Sequence, residues 1–201
     1  MKENMRDILV QTMFESLYHE GYNASNLIDM LKKAGTSKGG MYHYFGSKKE
    51  LALESMRIVG EGFIDHFWGG CFARHDNPIR ALEEILKALP NATIIGECPF
   101  DFKHGCPLNH MIQEMSALDE DFKILLESIL DRWIALIAES LKRGQNIGVL
   151  EKSFDPARIA QFIVSSVEGT LTLMKVKQDI RIYEENTELL LQTLKVLTQK
   201  G

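Results

Sequence analysis

Residues 25–49 read SNLIDMLKKAGTSKGGMYHYFGSKK, and this stretch decides the fold of the N-terminal part of the chain. Its first half predicts a short amphipathic helix with Ser25 as the N-cap. The predicted buried face consists of Leu27, Ile28, Met30 and Leu31. Ala34 and Gly35 predict a turn, because a small residue lets two helices approach and glycine adopts the left-handed backbone of a helix exit. This order of elements indicates a helix-turn-helix.

The second helix of the motif is predicted to begin with Thr36 or Ser37 as its cap and to run through Tyr44. Gly39 and Gly40 lie inside it, where each glycine costs about 1 kcal/mol relative to alanine. A helix that must press against a DNA backbone would explain this cost, since bulky side chains are unwelcome there. The motif therefore favours DNA binding.

The charge distribution supports DNA binding only in this part of the chain. The whole chain is acidic, with a formal net charge of −5 and a pI of about 5.7. Between Met30 and Lys49 there is no acidic residue, but there are five lysines: Lys32, Lys33, Lys38, Lys48 and Lys49. A basic surface on an acidic protein suits docking on phosphates. A solvated lysine face is the alternative interpretation of this run.

Several short motifs keep a fixed register over about the first 55 residues. They are Gly21-Tyr22, Ala34-Gly35, Ser37-Lys38-Gly39-Gly40, Met41-Tyr42-His43-Tyr44-Phe45 and Lys48-Lys49-Glu50-Leu51. Together they resemble the DNA-binding domain of TetR/AcrR-type transcriptional repressors. Two positions depart from the family pattern, because Gly40 stands in place of a usual threonine and Thr36 in place of a usual valine. The resemblance implies a helix-turn-helix domain over residues 1–47 and a ligand-sensing and dimerisation domain over residues 48–201.

The predicted DNA contacts come from the helix starts and from the exposed side of the second helix. Lys38 and the backbone N–H groups beside it can bind phosphate. Tyr42 can donate its hydroxyl to a phosphate, His43 can contact a base or the backbone, and Lys48 can clamp a phosphate. The full predicted set is Ser25, Thr36, Ser37, Lys38, Gly39, Gly40, Tyr42, His43 and Lys48. Tyr44 and Phe45 are instead predicted to close the core of the small domain.

The remaining sequence predicts an all-α fold of about nine helices. Besides the motif, the predicted helices cover about 6–20, 48–68, 78–89, 107–116, 119–141, 156–177 and 183–198. Asn77, Asp119 and Asp155 are predicted to cap three of them, and residues 90–105 are predicted to be irregular. Hydrophobic residues make up 45% of the 201 residues, as in ordinary globular proteins. No apolar run reaches the roughly 18 residues of a membrane span. Three cysteines without a disulfide spacing pattern, and no signal peptide, predict a cytoplasmic protein.

The last two predicted helices, 8 and 9, carry more apolar surface than one domain needs. Helix 8 contains IAQFIVSSVEGT at 159–170, and helix 9 contains LLLQTLKVL at 189–197. A helix that is apolar nearly all round needs partners on two sides. We therefore expect a homodimer through a four-helix bundle of helices 8 and 9, with a monomeric core as the alternative. Its two-fold symmetry would place two recognition helices on a palindromic operator in double-stranded DNA.

The larger domain is predicted to bind a small hydrophobic or electrophilic effector that releases the operator. Aromatic and methionine side chains at helical spacing can form an adaptable apolar pocket. The candidate walls are Phe63, Phe67, Phe102, Met111, Met115, Trp133, Phe162 and Met174. Ordinary core packing is the alternative for each of them.

Cys106 is the candidate sensing residue. It lies directly before a predicted helix that starts at Pro107, and the positive end of a helix lowers a thiol pKa. The stretches 105–108 (GCPL) and 113–116 (QEMS) are similar to the TetR-type subgroup that includes the electrophile-sensing repressor named for N-ethylmaleimide. This similarity implies that electrophiles or oxidants modify Cys106 and that a late lysine of helix 8, Lys175 or Lys177, can trap it. A buried structural cysteine is the alternative.

Metal binding and catalysis have little support. Cys98, His104, Cys106 and His110 are close in sequence, but their spacing matches no zinc pattern. We predict no metal and no cofactor. The chain contains no nucleophile elbow and no phosphate-binding glycine loop, so it is predicted not to be an enzyme. The rival hypotheses are an all-α small-molecule-binding protein or enzyme without a DNA-binding role, and a scaffold protein that uses its first 50 residues for protein contacts.

Overall fold

A computed structural model describes residues 4–96 and 98–198, and nine helices lie within them. They are α1 (Met5–Glu20), α2 (Leu27–Lys33), α3 (Lys38–Tyr42), α4, α5 (Pro78–Ala88), α6 (Pro107–Met115), α7 (Glu120–Asn146), α8 (Pro156–Lys177) and α9 (Ile180–Lys195). Helix α4 runs as Lys48–Phe63, continues through a π-helical turn at Ile64–Gly69 and ends as Gly70–Arg74. The all-α prediction is confirmed.

Irregular structure is concentrated between α5 and α6. A 3₁₀ turn at Leu89–Asn91 leads into two short paired strands, β1 (Thr93–Ile95) and β2 (Cys98–Pro99). The sequence predicted an irregular segment here but no strand, because two strands of three and two residues are too short for an alternating pattern.

Several helix starts are set by capping side chains that the sequence identifies. Asn77 accepts a hydrogen bond from the Ile79 N–H at 2.9 Å, and Asp155 accepts one from the Ala157 N–H at 2.9 Å. Asp119 does the same for Asp121 at 3.0 Å. In the first two cases proline occupies the first helical position, where its missing N–H costs nothing.

Several predicted helix boundaries are wrong. Helix α3 ends at Tyr42 rather than Tyr44, and α7 continues to Asn146 rather than ending at about residue 141. Helix α4 does not stop at Gly69-Gly70, because both glycines keep right-handed helical angles after the π turn. Helix α9 begins at Ile180 rather than near Tyr183, with Asp179 as its N-cap. Tyr183 is instead a buried residue inside the helix, and its hydroxyl donates to the Leu86 carbonyl at 2.6 Å.

The chain packs as two compact units. Unit 1 takes the described residues of Met1–Glu61, Thr93–Cys98 and Pro107–Ile129, and unit 2 takes those of Gly62–Ala92, Pro99–Cys106 and Leu130–Gly201. The predicted functional boundary between residues 47 and 48 stays a prediction, since these compact units divide α4 at Glu61 and α7 after Ile129 instead.

Each unit has an apolar core of its own. The core of unit 1 includes Leu9, Met13, Phe14, Leu17, Met30, Met41, Leu51, Met56, Met111 and Phe122. The core of unit 2 includes Trp68, Leu82, Ile85, Trp133, Ile137, Ile163, Val167, Leu171 and Leu194. In unit 2, α9 packs on both α8 and α5. None of the described helices is both long and apolar enough to span a bilayer.

Candidate DNA-binding surface and sensing region

The N-cap of α2 lies one residue later than predicted. Asn26, not Ser25, is the N-cap, and its Oδ1 accepts from the backbone N–H of Ile28 at 2.8 Å. Ser25 is buried, and its hydroxyl donates to the Tyr22 carbonyl at 2.9 Å. Both residue types can cap a helix, so the sequence could not decide between them. The hydroxyl of Ser25 is therefore used inside the loop, which argues against its predicted contact with DNA.

The buried face of α2 is narrower than predicted. Met30 and Leu31 are buried, whereas Ile28 is 62% exposed, so its predicted burial is wrong. Gly35 has a φ of +69° and follows Ala34 in the turn, which confirms the predicted left-handed exit.

Ser37 is the cap of α3, because its Oγ accepts from the Gly40 N–H at 3.2 Å. Thr36 lies beside Gly40, and a Cβ built at position 40 would collide with the Thr36 Oγ1. Gly39 has open space around it, with the nearest atom to a built Cβ at 3.8 Å. The Thr36 side chain therefore explains why glycine is needed at position 40. Glycine at position 39 has no such neighbour and leaves its backbone uncovered on the surface.

Helix α3 separates buried anchors from exposed side chains. Met41 is completely buried and Phe45 is 3% exposed, while Tyr42 is 53% and Tyr44 is 41% exposed. The predicted core role is confirmed for Phe45 and wrong for Tyr44. Phe45 follows the end of α3, and its N–H donates to the Met41 carbonyl at 3.0 Å, so the turn continues and both side chains lie on the inner side.

The predicted contacts around α3 remain on the surface. Lys38, Gly39 and His43 are exposed, Thr36 and Gly40 are half-buried, and Ser37 is exposed beside its capping bond. The His43 ring lies edge-on to Tyr44, with ring centroids 4.9 Å apart.

Lys48, the predicted phosphate clamp, already has partners within unit 1. Its Nζ donates to the carbonyls of Tyr22 at 2.6 Å and Ser25 at 2.7 Å, and it lies 4.5 Å from the centre of the Tyr22 ring. Burial lowers the pKa of Lys48, and the carboxylates of Glu114 and Glu20 oppose that shift. Two of its three N–H groups are used, which leaves one for a phosphate. The clamp stays a prediction.

Sequence reasoning missed the side chains that hold the loop between α1 and α2. Glu114 of α6 accepts hydrogen bonds from Tyr22 and Asn23. Lys49 forms ion pairs with Asp119 at 2.7 Å and Asp121 at 2.6 Å. No local pattern could reveal contacts across 70 to 92 positions.

The predicted pocket residues are divided between the two compact units. In unit 2, the Phe63 and Phe67 rings stack with centroids 4.9 Å apart, and Trp133 lies edge-on to Trp68 at 4.8 Å. Phe102 packs against Phe100 at 5.3 Å and Tyr183 at 5.0 Å. Met174 is buried in unit 2, and Met111 and Met115 are buried in unit 1.

One predicted wall residue lies on the surface, and another has a buried polar group without a partner among the described residues. Phe162 is 48% exposed on α8, so its interior position is wrong. The Trp133 Nε1–H is buried and has no hydrogen-bond partner among the described residues. A buried donor without an acceptor costs roughly 1–3 kcal/mol unless a ligand or water completes it.

Cys106 is the accessible thiol of the three cysteines. It is half-buried and in no disulfide, whereas Cys71 and Cys98 are buried. A Cβ built at the preceding residue, Gly105, would lie 3.3 Å from the Lys175 Cδ, so the Lys175 stem runs beside this segment. Burial, and then the Glu84 carboxylate, raises the pKa of Cys71, which disfavours its reactive thiolate. The described residues contain no group of three or more His, Cys, Asp or Glu side chains arranged to hold a metal.

Helices α8 and α9 each expose an apolar stripe, which we call the α8–α9 stripe. On α8 it consists of Phe162, Ser165, Gly169, Leu173 and Val176, spaced three or four residues apart. Leu173 is 53% and Val176 is 76% exposed. The other apolar members are Leu189 of α9 and Val196, which directly follows α9, and they are 62% and 76% exposed. Exposed apolar surface of this kind commonly marks an interaction site.

Known proteins match both parts of the chain. The model "Bacterial regulatory proteins, tetR family" matches residues 9–54, and the model "Tetracyclin repressor-like, C-terminal domain" matches residues 83–190. An uncharacterised HTH-type transcriptional regulator of Lactococcus lactis is 30% identical over 98% of this chain and 96% of its own length. The transcriptional regulator AcuR of Cereibacter sphaeroides is 27% identical over 84% of this chain and 75% of its own.

A solved structure extends the similarity to the whole fold. The reduced form of E. coli NemR superposes with a TM-score of 0.82 over 98% of both chains, at 20% sequence identity. The resemblance inferred from the N-terminal motifs is therefore confirmed, together with the fold it implies. This chain belongs to the TetR family of helix-turn-helix transcriptional regulators.

Proposed function

We propose that the chain is a homodimeric repressor that binds a palindromic operator and leaves it when an effector acts on the C-terminal region. The observation that carries the proposal is the exposed side of α3. Lys38, Tyr42 and His43 face solvent, while Met41 and Phe45 anchor the helix from below. A short helix fixed in this way on a lysine-rich, acid-free segment can enter a major groove without rearrangement.

The contacts with DNA divide into two kinds. Lys38 and the hydroxyl groups of Thr36 and Ser37 bind phosphates, and bare backbone at Gly39 lets a phosphate or sugar approach closely. Tyr42 and His43 reach further from the helix and are the side chains available to contact base edges or a second phosphate.

Dimerisation through the α8–α9 stripe supplies the two-fold symmetry. Small residues at Ser165 and Gly169 separate the larger Phe162, Leu173 and Val176, so a second copy can approach closely at the centre of α8. A built Cβ at Gly169 meets nothing within 4 Å, which leaves that approach open. An isologous four-helix bundle covers the stripe on both copies.

Cys106 is the proposed point of attack for an electrophilic effector. Its thiolate would add to the alkene carbon of a maleimide or to the aldehyde carbon of methylglyoxal, and the proton lost by the thiol would go to the adjacent carbon or to the new alkoxide oxygen. The Lys175 stem runs beside Gly105, and the lysine ammonium would favour the thiolate where it reaches the sulfur. An added group at this position then alters the start of α6 and lowers operator affinity.

A non-covalent effector is the second candidate, and Trp133 favours it. Its unpaired, buried indole N–H would donate to an acceptor on a small apolar molecule that also contacts Trp68. Such a ligand gains a hydrogen bond that the described residues do not supply.

The test begins with duplexes selected from a random library by the purified protein. We expect an inverted repeat that is bound by one dimer, with an affinity that falls steeply as salt rises. Treatment with N-ethylmaleimide is expected to weaken binding. Absence of any preferred sequence at low salt would reject the repressor function, and it would favour a small-molecule-binding or scaffold protein. The same proposal includes a cytoplasmic location and the absence of catalytic activity.

A further inference from the structure

Helix α6 ends against the loop between α1 and α2, and Glu114 makes the contact. Its Oε2 accepts from the Tyr22 N–H at 2.8 Å, and its Oε1 accepts from the Asn23 N–H at 2.8 Å and from the Asn23 Nδ2 at 2.9 Å. One carboxylate thus binds three donors of two neighbouring residues. Hydrogen bonds to an ionised acceptor are about twice as strong as neutral ones.

Gly21 is adapted to this contact. Its φ of +83° favours glycine, and a Cβ there would lie only 2.6 Å from the Glu114 Oε2 and 3.1 Å from its Cδ. Its N–H also closes the last turn of α1 by donating to the Leu17 carbonyl at 3.0 Å. The same glycine therefore ends α1 and makes room for the carboxylate.

The carbonyl groups of the loop accept hydrogen bonds from the start of α4. Lys48 holds the carbonyls of Tyr22 and Ser25, so the loop presents N–H groups to α6 and carbonyls to α4. The next residue, Lys49, is paired with Asp119 and Asp121 at the start of α7. The loop and the start of α4 are both fixed by the segment 114–121, and α2 begins only a few residues after Asn23, at Leu27.

We propose that Glu114 is a positioning residue for DNA binding. It fixes the loop between α1 and α2 and thereby the orientation of α2 and α3 that fits the operator. Cys106 directly precedes Pro107, the first residue of α6. A change at that end of α6 therefore reaches the DNA-binding helices through Glu114, and this second part rests on the proposed effector response.

The first test compares Glu114→Gln with Glu127→Gln. Glu127 is an exposed residue of α7 in the same unit, so both variants remove one negative charge. Removal of negative charge alone favours DNA binding. The amide introduced by Glu114→Gln keeps one acceptor oxygen but turns an NH₂ group toward the loop N–H groups, which breaks at least one hydrogen bond. We expect Glu114→Gln to weaken operator binding about tenfold, and Glu127→Gln to leave it unchanged or slightly tighter.

A structural readout separates positioning from general loss of stability. Amide exchange at Tyr22 and Asn23 is expected to rise in Glu114→Gln, while dimer mass and helical content stay the same. Equal operator affinities of the two variants would overturn the proposal. If Glu114→Gln does not fold, Asn23→Ala replaces it, because that change removes only the side-chain donor. A loss of about threefold is expected, at the low end of what one hydrogen bond contributes, and unchanged affinity would overturn the proposal.

The second test concerns the effector. The ratio of operator dissociation constants after and before N-ethylmaleimide treatment is measured for the wild type and for Glu114→Gln. We expect a smaller ratio in Glu114→Gln, because the contact that transmits the change is already broken. An equal ratio would overturn transmission through Glu114. If the wild type itself does not respond, the proposed thiol sensing fails, while the comparison of the untreated variants still decides the positioning role.

Discussion

Two exposed surfaces of this molecule differ in what surrounds their apolar and aromatic side chains. On α3 and directly after it, Tyr42 and Tyr44 lie in a segment with five lysines and no acidic residue between Met30 and Lys49. On α8, a serine and a glycine lie between Phe162 and the pair Leu173 and Val176. The first surface suits a polyanion, because lysine attracts phosphate and tyrosine adds a hydroxyl. The second suits a close apolar contact with another copy of the chain.

On both surfaces, the residues that bind a partner differ from the residues that stabilise the fold. Met41 and Phe45 hold α3 in place, so its exposed residues can be replaced without loss of the core. On α8, Ile163, Val167 and Leu171 bind the helix to its own unit and leave the opposite side available. Substitutions on the exposed side of α3 should therefore weaken DNA binding without affecting the dimer, whereas those on α8 should weaken the dimer and, through it, DNA binding.

The largest effect is expected for Leu173→Glu. A carboxylate placed in the proposed dimer contact would be buried without a partner, so the dimer should dissociate. A monomer carries one DNA-binding domain and contacts one half-site, so operator affinity should fall more than about 100-fold. Light scattering after size-exclusion chromatography gives the mass, and DNA titration gives the affinity.

The control for this change is Ile124→Glu, which alters an apolar residue of α7 that is 58% exposed. It should remain dimeric. A dimeric Leu173→Glu variant would remove the α8–α9 stripe from the account.

Tyr42→Ala should weaken operator binding by roughly 10- to 100-fold, since it removes a contact worth about 1–3 kcal/mol. Dimer mass and melting temperature should not change, because the side chain is 53% exposed. Tyr44→Ala is the matched control and should cost much less. Affinity that is intact in Tyr42→Ala would place this tyrosine outside the DNA contact.

Lysine substitutions should separate a phosphate contact from a loop contact. Lys38→Ala should weaken binding to all sequences, and it should reduce the slope of log affinity against log salt by about 0.9 per protomer, or about 1.8 for the dimer, without change in stability. Lys48→Ala should reduce the slope similarly through its third N–H, and it should also lower the melting temperature because two loop carbonyls lose their donor. An unchanged slope in Lys48→Ala would assign this residue to the loop alone.

The smallest effect is expected from the effector. N-ethylmaleimide should weaken operator binding of the wild type about fivefold, at the low end of ordinary allosteric coupling. Cys106→Ser should abolish this response, whereas Cys71→Ser should keep it, because Cys71 is buried and its pKa is raised. The thiol hypothesis is rejected if Cys106→Ser responds as the wild type does.

Predictions from the sequence succeeded where neighbours along the chain decide the structure. The cap at Ser37, the left-handed Gly35 and the caps at Asn77, Asp119 and Asp155 all depend on groups within four residues. Such interactions follow from residue type and spacing alone.

Predictions failed where distant contacts decide the structure. Lys48 donates to loop carbonyls 26 and 23 positions away, and no local pattern predicts these contacts. The cap of α2 is a local exception, because the Ser25 hydroxyl donates to the Tyr22 carbonyl and Asn26 caps the helix instead. Glu114 lies 92 positions from Tyr22, so no local pattern could pair them. Spacing along a helix did not distinguish buried Met174 from exposed Phe162, because both belong to apolar stripes on different sides of α8.

The most direct test of the account is the DNA sequence that the full-length protein selects from a random duplex library, read together with its footprint. We expect an inverted repeat with two protected half-sites, each of which faces one copy of α3. The centres of the half-sites should lie about one turn of the DNA helix apart. A single unrepeated site, or no enrichment at all, would contradict the claim that two α3 helices are presented symmetrically by a dimer.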